Sequence, residues 1–166
     1  LEKLGLGYEV LSSINPGLIY CAVSGYGRDG PYGDKAGFDL IAQGFSGLMS
    51  ITGEPGGAPV KTGNSIADIN AGILAVVGIT AAYTHKLKTG RGQIVDTSLL
   101  EAALQQTYWH AATYFATGES PGPTGSAHLL AAPYQAFRTS DGWINIGGAN
   151  QANWERIAAV LGHPEW

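Results

Sequence analysis

Charge is scarce in this chain: Asp, Glu, Lys and Arg make up 13% of its 166 residues, about half the usual share. A surface so poor in charge points to cover by further chain or by a partner, and an oligomer is expected. The net charge of −4 comes without any run of basic residues, so the electrostatic footprint of a nucleic-acid binder is missing. Cysteine is limited to Cys21, which fits a reducing cytoplasm. It lies in the apolar run Leu18-Ile19-Tyr20-Cys21-Ala22-Val23, where a buried structural thiol is expected. Long apolar runs are also lacking. The most apolar stretch, Ala71 to Tyr83, covers 13 residues, too few to cross a bilayer, and neither a signal peptide nor a membrane partner is expected. The chain opens at Leu1 without an initiator Met and stops at Trp166, so it reads as a piece of a longer protein.

What is present suffices for a core: 45% of residues are hydrophobic. Tyr8 to Ser13 ends a helical segment that Asn15-Pro16-Gly17 terminates, and Leu18 to Val23 has the length and continuity of a buried strand. A helix feeding such a strand suggests a parallel α/β layer. A glycine-rich loop, Gly25 to Gly37, precedes a helical pattern over Phe38 to Met49, and a second loop runs from Gly53 to Gly63. The next helix is expected from Ser65 to about Lys88, stopped by Gly90. Gln93 to Val95 reads as a short strand, Asp96 or Thr97 as an N-cap, and Ser98 to Thr117 as one long helix. Composition changes at 118–132, a linker, after which Tyr134 to Thr139, the turn Ser140-Asp141-Gly142 and Trp143 to Ile146 give a hairpin signal. Residues 1–117, 118–132 and 133–166 are therefore taken as a larger domain, a connecting segment and the start of a smaller α+β domain. Trp143 and Trp154 are its expected core anchors.

Two motifs compete with simpler readings. Gly25-Tyr26-Gly27-Arg28-Asp29-Gly30 matches G-x-G-x-x-G behind a strand, but Pro31, Gly33 and Gly37 leave no helix to receive a pyrophosphate, so it reads as a loop. Ser65-Ile66-Ala67-Asp68 has the spacing of a capping box, in which Asp68 would serve the helix start. The same position favours an ionised carboxylate through the helix dipole, and such a carboxylate can attack an activated acyl carbon. Ala71 and Gly72 keep the wall beside it small. The four histidines are not clustered: His85 and His110 suggest no metal site, and His128 lies in the glycine-containing segment Gly125-Ser126-Ala127-His128.

Several segments together resemble the family III CoA transferases: Ile19 to Gly27, Ala36-Gly37-Phe38-Asp39-Leu40, Asp68 with Ala71-Gly72, Lys88-Thr89-Gly90-Arg91-Gly92-Gln93, and Val95 to Ala102. The resemblance extends over essentially all 166 residues. It implies an α/β fold, part of a Rossmann-like large domain with the opening of a small one, in a protein that forms interlocked homodimers. It implies that Asp68 is a covalent nucleophile, passing through an aspartyl anhydride and an aspartyl-CoA thioester, with acyl-CoA and a carboxylic acid as partners. Coenzyme A would enter as a thioester substrate, with no tightly bound cofactor and no metal. Ala36, Gly37, Phe38 and Asp39 would line the CoA cleft. Gly125, Ser126 and His128 would form a substrate-side loop, closest in look to the subgroup that uses dicarboxylic acids. Backbone amides near the helix start or the glycine segment would stabilise the oxyanions. Family racemases carry histidine where Phe38 stands, and a phenyl ring can neither take nor deliver a proton. A racemase-like isomerase and a non-catalytic packing or dimerisation module are the alternatives.

Overall fold

Asn15-Pro16-Gly17 stops the first helix, α1 (Tyr8–Ile14), and the apolar run behind it becomes strand β1 (Tyr20–Ser24). The computed structural model describes residues 1–166. They fall into two units, residues 1–49 with 61–121 and residues 50–60 with 122–166.

In the first unit a loop over 25–37 leads to α2 (Asp39–Phe45), and α3 (Ile66–Thr89) returns the chain to β2 (Ile94–Ser98). The two strands pair in parallel, Tyr20 opposite Ile94 and Ser24 opposite Ser98, because the helical connection between them runs back along the sheet. The expected end of α3 is realised: Gly90 takes the left-handed conformation at φ 73° and its N–H donates to the Lys86 carbonyl. Ala67, Ala71, Ala75 and Ala82 form the buried stripe of α3. Ala67 meets Ala42 of α2 and Ala103 of α4 (Leu99–Gln105), with Leu99 packed against them. Side chains this small let three helices approach closely.

Four expectations are corrected here. The single helix over Ser98 to Thr117 is two, α4 and α5 (Tyr108–Thr117). The break at Gln106-Thr107 is tightened by bonds to carbonyls three residues back and by the Thr107 hydroxyl, which donates to the Leu104 carbonyl at 2.8 Å. The cap of α4 is Ser98 rather than Asp96 or Thr97, both of which lie in β2. Its Oγ accepts from the Glu101 amide at 3.1 Å and donates to Glu101 Oε2 at 3.0 Å. Cys21 is exposed, not buried. It shares the sheet face of its partner Val95, and α3 lies closest to that face at Val95, against Gly78, leaving Cys21 itself open.

The fourth lies in the second unit, where β3 (Tyr134–Arg138) and β4 (Trp143–Gly147) form the expected antiparallel hairpin, followed by α6 (Gln151–Val160). Trp143 is 72% exposed and anchors no core. Trp154 is half-buried and lines a cavity of about 590 Å³ with Gln135, Phe137 and Gly148. Asn150 caps α6, its side chain accepting from the Asn153 amide at 2.9 Å.

The outer flank of α3 matches the scarcity of charge. Ile73, Val76, Val77 and Leu87 are each more than half exposed. By length and apolarity α3 also fits a membrane-spanning helix, but its inner face packs on α2, α4 and both strands as a core helix does.

The glycine-rich loop is pinned by a contact between main chains. A Cβ on Gly37 would stand 2.5 Å from Gly25 Cα, and one on Gly25 would stand 2.6 Å from Gly37 Cα. Gly37→Ala should therefore cost about 1–3 kcal/mol, read as a lower denaturant midpoint with an unchanged slope.

Candidate functional site

The first turn of an α-helix presents N–H groups that have no partner within the helix. At the start of α3 the local capping box does not form, since Ser65 makes no side-chain cap bond. The acceptor comes from α2 instead. Asp39 Oδ1 accepts from the Ala67 amide at 2.8 Å and, at a longer 3.4 Å, from the Asp68 amide. Asp39 Oδ2 accepts from Gln43 Nε2 at 2.7 Å, one turn along α2. Gln43 is fully buried, and its Oε1 accepts from the Thr62 amide at 2.9 Å and the Thr62 hydroxyl at 3.3 Å. Thr62, Gln43 and Asp39 thus form a relay that ends on the main chain of Asp68.

Asp68 is exposed, and its carboxylate makes no hydrogen bond or ion pair within the chain. A group that could have been spent on capping is left open to solvent. Gly72, one turn further along the same helical face, has nothing within 4 Å of the position a Cβ would take. Helix packing therefore does not require this glycine. Asn70 Nδ2, by contrast, is buried without a partner.

Cys21 is the other nucleophile by residue type. Partial desolvation, and secondarily the Asp96 carboxylate, push its thiol above the ordinary value. Little thiolate forms near neutrality, which disfavours it as the attacking group. Asp96 is itself held above the usual carboxylate range, chiefly by desolvation and against the pull of Arg28. Arg28 Nε stands 3.7 Å from Asp96 Oδ2, and Arg28 Nη2 stands 3.1 Å from Glu2 Oε1.

Of the residues expected to line a CoA cleft, Ala36 and Phe38 are exposed, Phe38 at 73%. Gly37 abuts Gly25, and the Asp39 carboxylate is committed to the relay. The other predicted group lies in the second unit. The Gly125 amide donates to the Gly53 carbonyl at 2.8 Å, and Ser126 Oγ accepts from the Ala136 amide at 3.1 Å. The His128 amide donates to the Tyr134 carbonyl at 2.9 Å, while its Nδ1 accepts from the Leu130 amide at 3.0 Å. Nδ1 is then an acceptor, and the neutral ring carries its proton on Nε2. Gln43 and Thr62 were not singled out in the sequence. The signal for Gln43 was its place four residues after Asp39 on one helix face, whereas Thr62 carries none.

The family profile described as CoA-transferase family III matches residues 1–166, and the chain belongs to that family. Over 162 residues it is 43% identical to a succinate–glutarate CoA-transferase of Agrobacterium fabrum, covering 98% of this chain and 40% of that protein. Over 165 residues it is 39% identical to the human succinyl-CoA:glutarate CoA-transferase, covering 99% of this chain and 38% of that protein. A crystal structure of a CaiB/BaiF family protein from Brucella suis superposes with a TM-score of 0.83 at 41% identity, over 99% of this chain and 44% of that one. The chain thus spans about two fifths of the length of the curated relatives it matches. Its mixed α/β architecture is that of the CaiB/BaiF structures.

Because the Gly72 face is open, Gly72→Ala in the full-length protein should raise stability by about 0.5–1 kcal/mol through helix propensity. Thermal unfolding reads this, and a fall in melting temperature would overturn the assignment of an open face.

Proposed function

We propose that this chain carries the nucleophile of an enzyme that moves coenzyme A from an acyl-CoA donor to a dicarboxylic acid. The observation that supports it most is the Asp68 carboxylate, exposed at the first turn of α3 while another residue caps that turn. One Asp68 oxygen attacks the donor thioester carbon, the C–S bond breaks, and a mixed anhydride and CoA thiolate result. The thiolate then attacks Asp68 Cγ, releasing the donor as a free carboxylate and leaving Asp68 joined to CoA as a thioester. An acceptor carboxylate attacks Cγ in turn, giving a new anhydride and thiolate. Attack of that thiolate on the acceptor's acyl carbon yields the acceptor thioester and regenerates Asp68. No proton changes hands, so the absence of a side-chain base at Phe38 costs this route nothing, whereas a two-base racemisation would lose one of its bases.

Each attack passes through a tetrahedral oxyanion that needs nearby donors. The Ala67 and Asp68 amides at the helix start point to Asp39. Residues 36–39 offer the CoA cleft a short stretch of main chain and the exposed Phe38 ring. A contact from His128 to a distal carboxylate would accord with the dicarboxylic acids in the relatives' names. Pairing as a homodimer, with the bare flank of α3 covered, completes the reading.

In the full-length protein, exposure to succinyl-CoA followed by hydroxylamine should leave a hydroxamate on the Asp68 peptide by mass spectrometry. Asp68→Asn should lower transfer at least about a thousandfold with little change in melting temperature. Retained transfer would leave a packing module as the better reading. His128→Ala should raise the acceptor KM about tenfold while the donor KM stays put, and an unchanged acceptor KM would remove the histidine from the site.

A further inference from the structure

We infer that Asp39 is a positioning residue for Asp68: its carboxylate, clamped by buried Gln43, sets the main chain from which the nucleophile projects. The inference rests on the reading of Asp68 as nucleophile and adds a residue whose side chain touches neither CoA nor the acid.

The geometry leaves position 39 little freedom. The Thr62 main-chain N–H can only donate, so the Gln43 atom facing it must be Oε1. The Gln43 amide nitrogen is thereby turned toward Asp39 Oδ2. Asp39 Oδ1 faces two further donors, the amides of Ala67 and Asp68. A side chain here must accept at both of its terminal atoms, which a carboxylate does and an amide does not. The same group stands at the first residue of α2 and supplies the acceptor at the start of α3. Ala42 and Ala67, both at most 2% exposed, hold the two helices together beside it.

This arrangement divides two tasks between two acids. Asp39 satisfies the helix start, and Asp68 keeps its oxygens for the acyl group. A loosened first turn would move the attacking oxygen, and a displacement of about 1 Å can slow a positioned reaction about a hundredfold. The affinity for the donor, to which position 39 would offer main chain and not its side chain, should hardly change.

The test uses the full-length protein with succinyl-CoA, hydroxylamine capture at Asp68 and the donor KM. Asp39→Asn keeps an oxygen for the α3 amides but sets an NH₂ group against Gln43 Nε2, donor against donor. Capture at Asp68 should slow about ten- to hundredfold, with the donor KM within about threefold of the parent. Combining Asp39→Asn with Gln43→Glu reverses that bond: the new amide donates to the new carboxylate, whose other oxygen still accepts from Thr62. This pair should recover capture to within about threefold of the parent, a rescue that a general loss of stability would not produce. Capture at the parental rate in Asp39→Asn overturns the inference, as does a folded double variant that stays slow. If the single variant does not fold, the double variant alone decides in the same way. A parent protein that transfers CoA with no label on Asp68 overturns the nucleophile itself, an outcome distinct from any change of rate among the variants.

Discussion

The start of α3 carries N–H groups that point out of the helix, and the local serine leaves them unbound. Hydrogen bonds to a charged acceptor contribute about 1.5–3 kcal/mol each, so an acceptor at that end decides where a 24-residue helix begins. Asp39 supplies it from another helix. Its reach works only because Ala42 and Ala67 let α2 and α3 approach, and its direction is held only because Gln43 is locked by Thr62. Larger residues at the alanine contact would separate acceptor from donors. A buried glutamine with either end unmatched would itself cost about 1–3 kcal/mol. Packing and polar satisfaction therefore support each other at this one place.

Much of the fold was legible because it is written locally. Pro16 and Gly90 mark helix ends through their own backbone chemistry, and alternating apolar residues with a Ser-Asp-Gly turn announce the hairpin of β3 and β4. The failures share a different cause. Whether Cys21 is covered depends on how α3 crosses the sheet, and whether Trp143 is buried depends on what meets the outer face of β4; neither is encoded nearby. The split between α4 and α5 falls where the Thr107 hydroxyl competes for a carbonyl, a contest that apolar periodicity does not register. Similarly, Ser65-x-x-Asp68 and Ser98-x-x-Glu101 have the same spacing, yet only the second forms a cap. At the first, an acceptor 28 residues earlier in the chain reaches the amides.

The scarcity of charge and the bare flank of α3 express one fact at two scales. Val76 and Val77, each more than 60% exposed, sit in a helix whose opposite side is lined by alanine. Apolar surface of this kind is stable in water when something covers it. The relatives are more than twice as long as the span they share with this chain. Two features set α3 within a folded layer: its buried alanine stripe and the acceptor that Asp39 brings to its N-terminus.

In the sequence, one acid at the third position of a helix had to be either a cap or a nucleophile, because a single carboxylate cannot accept from the helix amides and also present its oxygens to a thioester. The structure removes that choice by bringing in a second carboxylate. With Asp39 on the amides, the negative charge favoured by the helix end is met once, at the cap, and Asp68 extends beyond it without a partner. The proposed covalent transfer would demand such a division, since Asp68 would lose its charge when acylated and regain it when released. Were the helix start to depend on that charge, each turnover would break and rebuild the cap. Because it depends on Asp39, the hydrogen bonds at the helix start would stay in place while Asp68 reacted as proposed.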